Sequence, residues 1–349
     1  MLQYFFGSYL ITILGAIGAY FWAEHSVPGS GFTALFIVAI LAILEVSLSF
    51  DNAVVNAMKL EKMSHLWRQR FLTWGIAIAV FGMRFLFPIL VVSIFANLSM
   101  GEVARIAIND SEQYAHYLHL THAPIVSFGG IFLLMLFLHY FFNSEKTVHW
   151  IKWVEEWVSH LDNIRGIEVI IALIALIATQ SFANTLEEKM SIILAGISGV
   201  ITYLAIDGLS HYLEKKEEAR MAKCAQNVAT GGFVSFMYLE LIDASFSLDG
   251  VLGAFALSKD IIIISIGLAI GAMFVRSLTI MLVEKKTLAQ FLYLEHGAHW
   301  AIGALAIIML ISTKFEVPEV VTGIIGLVFI VLSLISSVLH NRKKSLESN

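Results

Sequence analysis

The chain has 349 residues, of which 58% are hydrophobic and 14% are charged, and its mean hydropathy is +0.81. Soluble domains carry a smaller apolar share and about a quarter charged residues, so the composition excludes an ordinary soluble protein and indicates a polytopic membrane protein. The net charge is −5, no nucleic-acid partner is expected, and the single Cys224 excludes an internal disulfide and a cysteine-based metal site.

A helix needs about 20 mostly apolar residues to cross the hydrocarbon core of a membrane. Ten stretches satisfy this requirement, so we expect an all-α bundle of about ten transmembrane helices. The first stretch lacks a basic leader region, so we expect it to be a retained helix rather than a cleaved signal peptide. The ten stretches are 4–23, 31–58, 71–98, 124–143, 166–183, 187–207, 231–257, 260–284, 297–313 and 316–339.

An internal repeat organises these stretches. Residues 45–54 and 243–252 share the pattern acid-x-Ser-x-Ser-x-Asp, and in each copy an arginine, Arg84 or Arg276, follows a glycine by nine residues. The expected units are an N-terminal helix (1–30), a first repeat (31–143), a central amphipathic connector with two helices (144–230), a second repeat (231–313), and a final helix with a basic cytoplasmic tail (314–349).

Basic residues in short connections orient a membrane protein, because they remain on the cytoplasmic side. Alternate connections contain 16 lysines and arginines, whereas the intervening connections contain four. Both termini are therefore expected in the cytoplasm, and the two copies of the repeat run through the membrane in opposite directions. Inverted repeats are a recurring architecture of secondary transporters.

Five acidic residues lie within the apolar stretches, where an ionisable group is costly unless it faces a cavity or a partner. They are Glu45, Asp51, Glu240, Asp243 and Asp249. Two arginines lie at comparable depth, so three carboxylates remain to be neutralised by protons or by a cation.

In the first copy, Glu45, Ser49 and Asn52 follow at i, i+4 and i+7 and share one helical face. Asp51 falls about 120° away in a straight helix. All of these side chains converge only if the helix is interrupted between Ser47 and Asn52, where serine and asparagine compete for backbone hydrogen bonds.

In the second copy, Asp243, Ser247 and Gly250 have the same spacing, and an interruption near Gly250 would bring in Asp249. Carboxylate, amide and hydroxyl oxygens suit hard cations such as Mg²⁺, Ca²⁺ or Mn²⁺. The predicted metal ligands are Glu45, Asp51, Asn52, Glu240, Asp243 and Asp249, with Ser49, Ser247, Arg84 and Arg276 in support. The alternative is that the pairs Asp51–Arg84 and Asp249–Arg276 only fasten helices together.

Histidines give weaker signals. His116, His119 and His122 lie in the external connection 99–123, for which a solvated acidic loop is favoured over a metal site. His139, His296 and His299 are each expected to pack helices by hydrogen bonding rather than to relay protons. In the connector 144–165, tryptophans 150, 153 and 157 are typical of an amphipathic helix at the headgroup level.

The motif residues resemble the TerC superfamily of bacterial integral membrane proteins, which includes manganese exporters and proteins linked to tellurium resistance. The similarity covers about stretches two to four and seven to nine, with Gly250 at a position where the family often has serine. The matching residues are Glu45, Asp51-Asn52, Glu240, Asp243, Phe246-Ser247 and Asp249. The resemblance implies manganese efflux and a metal site at Glu45, Asp51, Asn52, Asp243 and Asp249.

The function expected from the sequence is export of a divalent cation, Mn²⁺ above others, across the bacterial inner membrane by a secondary transporter, with proton antiport as its coupling. The cation is a substrate, no permanently bound cofactor is expected, and the other partners are membrane lipids. No phosphate loop or hydrolase motif is present, so an enzyme is not expected. The alternative is a non-transporting TerC-like scaffold in metal or tellurium stress resistance.

Overall fold

The structure is a computed structural model. It describes residues 2–61, 63–143, 146, 148–159, 164, 166–221, 233, 236–237, 239–240, 254, 257–258, 260–285, 291–315, 317 and 319–347. Every regular element in these ranges is a helix, which confirms the all-α class.

Thirteen α-helices and one π-helix are bounded within the described ranges. The first half contains α1 (Leu2–Ser26), α2 (Gly31–Leu48), α3 (Phe50–Glu61), α4 (His65–Ala77), the π-helix (Ile78–Leu86), α5 (Phe87–Phe95), α6 (Met100–Asn109) and α7 (Ser111–Phe142). The second half contains α8 (Lys152–Ser159), α9 (Ile167–Gln180), α10 (Leu186–Met221), α11 (Ile261–Glu284), α12 (Leu294–Ser312) and α13 (Glu319–Glu347).

Six of these helices are long and apolar enough to cross a membrane, and α2 with α3 forms a seventh candidate if the bent pair is one span. The protein is therefore an integral membrane protein. In α7 and α11, 78% and 72% of the most apolar 18-residue window is buried, against 11% in α1 and 22% in α13. Helices α7 and α11 thus form the centre of the bundle, whereas α1 and α13 present apolar surface outward.

The expected count of ten spans is not confirmed, and neither is the inverted repeat. The stretch 71–98 is divided among α4, the π-helix and α5, and α9 has only 14 residues. A helix of that length rises about 21 Å, which is short for a hydrocarbon core of about 30 Å. Most of the stretch 231–257 lies outside the described residues.

The expected interruption of the first motif helix is present. Helix α2 ends at Leu48, α3 begins at Phe50, and the two axes meet at 53°. Ser49 lies at the junction with φ −98° and ψ 17°, and its side chain turns back onto Glu45. This local hydrogen bond illustrates how a serine side chain competes with regular helix geometry.

Two glycines of α11 allow α2 to approach it closely. A Cβ atom at Gly267 would lie 2.6 Å from Cβ of Leu41, and one at Gly271 would lie 2.4 Å from Cβ of Glu45. Both distances are far below van der Waals contact, so only glycine fits at either position. The contact fixes Glu45 against the buried helix α11.

The connection 99–123, expected to be a solvated loop, is instead helical. It forms α6 and the first turns of α7, and each helix begins with a side-chain cap. Ser99 and Glu102 form a reciprocal capping box, and these hydrogen bonds lower the pKa of Glu102. Asp110 accepts a hydrogen bond from the Gln113 amide at 3.0 Å. The capping residues therefore stabilise the first turns of α6 and α7 within this polar stretch.

Candidate cation site

Glu45 is the centre of the described part of the site. Its side chain is 3% exposed and forms an ion pair with Arg84, which is equally buried. Ser49 donates a hydrogen bond from its hydroxyl to Oε1 of Glu45 at 2.9 Å. Arg84 thus neutralises Glu45, whereas the alternative derived from the sequence paired this arginine with Asp51, whose side chain lies outside the described residues.

Arg84 lies in the π-helix. Pro88, just after the end of this helix, gives one reason for its irregular hydrogen bonding. Pro88 has no N–H group and cannot donate the α-helical hydrogen bond to the Arg84 carbonyl four residues earlier. Ser265 of α11 donates to that carbonyl instead, at 3.3 Å. Segments with π geometry occur frequently at functional sites. The hydrogen bond from Ser265 therefore links the Arg84 backbone directly to the central helix α11.

Arg276 forms the second buried acid–arginine pair. Its Nη2 atom lies 3.6 Å from Oε1 of Glu240 and donates to the Phe71 carbonyl at 2.7 Å. The guanidinium also lies 4.1 Å from the centre of the Phe71 ring, a cation–π geometry. A Cβ atom at Gly75 would lie 1.8 Å from this Nη2 atom. The absence of a side chain at Gly75 therefore provides the space that the Arg276 guanidinium occupies.

A narrow cavity joins both arginines. The space within it that is open to the centres of water molecules is about 10 Å³, which is enough to admit water. It lies between the bent pair α2–α3, helix α4, the π-helix and α11. Its lining consists of Glu45, Ser49, Asn52, Asn56, Phe71, Arg84, Ala272, Val275, Arg276 and Thr279.

Two polar residues of the lining were missed by the sequence analysis. Asn56 is 4% exposed, and its Oδ1 atom has no hydrogen-bond partner among the described residues. Thr279 is 1% exposed, and its hydroxyl oxygen lies 3.0 Å from the Val275 carbonyl. Asn56 continues the spacing of Glu45, Ser49 and Asn52 at i+11, so extending the polar face by one turn would have found it.

The structure thus brings five of the predicted residues to one cavity and places a sixth beside it. Glu45, Ser49, Asn52, Arg84 and Arg276 line the cavity, and Glu240 contacts Arg276. Asp243, Ser247, Asp249 and the Asp51 side chain lie outside the described residues. Within the part of the chain that is described, no three histidine, cysteine, aspartate or glutamate side chains form a metal-binding group. The complete ligand set therefore remains a prediction.

A separate polar cluster fastens α8 to the bundle. The carboxylate of Glu155 is fully buried and accepts hydrogen bonds from the Trp150 and Ile151 amides and from the Trp300 indole, at 3.1 to 3.3 Å. His296 lies 3.4 Å from the same carboxylate and donates to the Val148 carbonyl at 2.8 Å. These contacts match the packing role expected for His296.

His299 and His139, the other two histidines expected to pack helices, also make packing contacts. His299 stacks on the Tyr140 ring at 3.6 Å, and His139 lies 3.4 Å from the Glu168 carboxylate. Trp153 of α8 is 85% exposed, in keeping with the interfacial position expected for this helix.

Comparison with known proteins identifies a protein family. The model of a protein family described as "Protein of unknown function (DUF475)" matches residues 50–344. This range includes every cavity residue from Asn52 to Thr279 and begins after Glu45 and Ser49. No curated protein and no solved structure matches the chain.

Proposed function

The chain belongs to the DUF475 family, whose description names no function, and we propose that it is a secondary transporter that exports a divalent cation, with Mn²⁺ the favoured substrate. The observation that carries the proposal is the cavity between two buried acid–arginine pairs, at a bend between helices of an integral membrane protein.

The bend supports transport over a purely structural role. A helix interrupted at membrane depth exposes backbone carbonyls, and such backbone is tolerated only where it is buried in protein or lines a cavity. Broken helices that meet near the midplane are a common binding-site design in secondary transporters. Ten spans, an inverted repeat and cytoplasmic termini in the bacterial inner membrane complete this proposal.

The charge balance supports a cation as the substrate. Arg84 pairs with Glu45 and Arg276 pairs with Glu240, so each of these two acids already has a positively charged neighbour. The sequence places three more aspartates at membrane depth, and a divalent cation would balance two negative charges there. In the proposed site Asp51 and Asp249 bind the ion, and Asp243 completes the shell with the glutamates and Asn52.

The donor chemistry and the family resemblance support manganese. Carboxylate, amide and hydroxyl oxygens are hard ligands that favour Mg²⁺, Ca²⁺ or Mn²⁺ over copper or structural zinc. The resemblance of the motif residues to the TerC superfamily selects Mn²⁺ from this group.

Transport can be tested in proteoliposomes that contain a dye quenched by Mn²⁺. Asp51→Asn and Asp249→Asn are each expected to abolish Mn²⁺ flux while the protein remains inserted, because the amide preserves size but removes charge. Asp110→Asn is the matched control, since Asp110 is an exposed cap of α7 and asparagine caps helices equally well. Parent-like flux in both Asp51→Asn and Asp249→Asn would disprove the proposed site.

A further inference from the structure

We propose that a second cavity, covered by helix α8, holds one acyl chain of a membrane phospholipid. This α8 cavity has a volume of about 260 Å³ and lies between α7, α8, α9 and α12. It is separate from the two acid–arginine pairs, so the inference does not depend on the transported ion.

The walls of the α8 cavity are apolar. Eight of its nine described lining residues are hydrophobic, and the ninth is Glu155. The Glu155 carboxylate already accepts hydrogen bonds from the Trp150 and Ile151 amides and from the Trp300 indole. A buried water molecule needs about two to four polar partners, and the described lining residues expose no polar atom to the cavity. The cavity therefore suits an apolar occupant rather than water.

Aromatic rings keep the α8 cavity from closing. The rings of Phe137 and Phe141 have centres 4.8 Å apart, and they pack against the Trp300 ring at 5.5 and 4.9 Å. Phe137 also fills the space beside Gly303, where a Cβ atom would lie 2.4 Å from its ring. These rings cannot swing inward without losing their contacts. Because an empty cavity costs stability in proportion to its volume, an apolar occupant would stabilise the protein.

The α8 cavity lies near one end of three helices. Helix α7 ends at Phe142, which lines the cavity, and α9 and α12 begin at Ile167 and Leu294. Trp300 is six residues inside α12, a distance of about 9 Å along the axis. Helices at a membrane surface place their apolar faces about 5–10 Å into the boundary between headgroups and acyl chains. The cavity is therefore at the depth where acyl chains begin.

Helix α8 has the two faces of a helix that lies in the membrane surface. Val154 and Val158 line the cavity. On the opposite face, Trp153 is 85% exposed, and Lys152 and Glu156 are exposed as well. Tryptophan and lysine on the outer face are typical of the headgroup level. A phospholipid with its headgroup beside α8 can therefore place an acyl chain under this helix.

The volume of the α8 cavity also fits an acyl chain. A cavity of about 150 Å³ with similar apolar walls binds benzene, so in the same proportion 260 Å³ accommodates about ten carbon atoms. Acyl chains are the apolar molecules in greatest supply around an integral membrane protein. A phospholipid chain is therefore the expected occupant.

The test is a titration of the delipidated full-length protein in detergent with dioleoyl phosphatidylcholine, followed by native mass spectrometry. The parent is expected to bind one lipid more tightly than all further lipids. Val158→Phe and Ile171→Phe fill the cavity from α8 and α9, and each should weaken binding of this first lipid at least about tenfold. Val331→Phe is the matched control, because Val331 is 41% exposed on α13.

Two competitors separate the acyl chain from the headgroup. Lysophosphatidylcholine, which has one acyl chain, should displace the first lipid from the parent protein. Glycerophosphocholine, which has the same headgroup and no acyl chain, should not displace it. This competition needs no substitution, so it tests the inference even if a filled variant does not fold.

Three results would each overturn the inference. The first is parent-like affinity for the first lipid in both Val158→Phe and Ile171→Phe. The second is displacement by glycerophosphocholine, since the headgroup would then account for binding. The third is equal affinity of the parent for all bound lipids. None of these results bears on Mn²⁺ flux, so the proposed transport function is tested separately.

Discussion

Gly75 shows how much of the site depends on a single missing side chain. The glycine gives Arg276 and Glu240 the space in which they meet, and a Cβ atom there would overlap the guanidinium. The repeat identifies Gly75 as a glycine present in both copies, but its structural role is seen only when α4 is placed against α11. Sequence spacing cannot supply that information, because it relates residues within one helix and not across two.

Gly75→Ala is therefore expected to displace Arg276 from both Glu240 and the Phe71 carbonyl. Breaking a buried ion pair destabilises a protein by about 3 kcal/mol. Thermal unfolding of the purified protein in detergent measures this loss. Gly101→Ala is the control, because a Cβ atom at Gly101 meets no atom within 4 Å. Equal stability of the two variants would show that the Arg276 position is adaptable.

The Glu45–Arg84 pair gives a second prediction. Glu45→Gln and Arg84→Gln should each destabilise the protein by about 3 kcal/mol, because each leaves a buried charge without its described counter-charge. The double variant should lose less than the sum of the two, since no uncompensated charge from the pair remains. Arg105→Gln, on the exposed face of α6, serves as a control. Additive losses would contradict a direct interaction.

At the level of helices, the connection between α7 and α8 contains a lysine in an unusual environment. Lys146 lies 3.8 Å from the Tyr140 ring centre and 4.4 Å from that of Phe141. Burial lowers the pKa of Lys146 to about 8, although Glu155 and Glu295 act in the opposite direction. Burial of the amine therefore outweighs the attraction of the two carboxylates.

This shift predicts a dependence of stability on pH. Between about pH 8 and the ordinary lysine pKa of 10.5, the unfolded chain holds a proton that the folded chain has released, so the contribution of Lys146 to stability increases with pH. Lys146→Met should remove this increase, as measured by thermal unfolding across the range. Lys152→Met, at an exposed position on α8, should leave the pH profile unchanged. An identical profile in the Lys146 variant and the parent would refute the assignment.

Helix prediction succeeded where apolar runs are long and failed where local geometry decides. Runs such as 260–284 were placed to within a residue, because length and hydropathy alone determine such a helix. The bend at Ser49 was also predicted, from the competition of serine side chains for backbone bonds. The π-helix was not predicted, and Pro88 with the distant donor Ser265 explains only how its Arg84 carbonyl is bonded. The ion pair of Arg84 with Glu45 was not predicted either, because the approach of α2 to α11 positions Glu45.

For the whole molecule, the proposed topology of ten spans makes a labelling prediction. In a variant without Cys224, cysteines introduced near Lys62 and Lys286 should react only from the cytoplasmic side. Cysteines near His119 and Lys314 should react only from the opposite side. Membrane-impermeant maleimide applied to intact cells and to inverted vesicles measures this. Reaction of positions 62 and 286 from different sides would require a different number of spans.

Coupling is also a property of the whole molecule. Buried acids that lack a cation take up protons, and a divalent ion that binds to them should release those protons. We therefore expect Mn²⁺ flux to be accompanied by opposite proton movement. Of the two groups that the sequence suggests for this exchange, Glu45 and Asp243, the ion pair of Glu45 with Arg84 favours Asp243. Proteoliposomes containing a pH-sensitive dye, held without a membrane potential, measure it. Flux without proton movement, or with one rate between about pH 6 and 8, would contradict antiport and leave the metal site in place.

Because α2 and α3 meet at an angle at Ser49, a rotation at this junction moves the far end of α3 the most. Its 12 residues span about 18 Å at 1.5 Å per residue, so a rotation of about 10° at the junction would move its Glu61 end by about 3 Å. That displacement exceeds the diameter of a bare divalent ion, whereas residues next to the pivot, such as Asn52, would move by only a fraction of it. A rotation at the junction would thus displace the Glu61 end of α3 far more than it displaces Asn52 at the cavity.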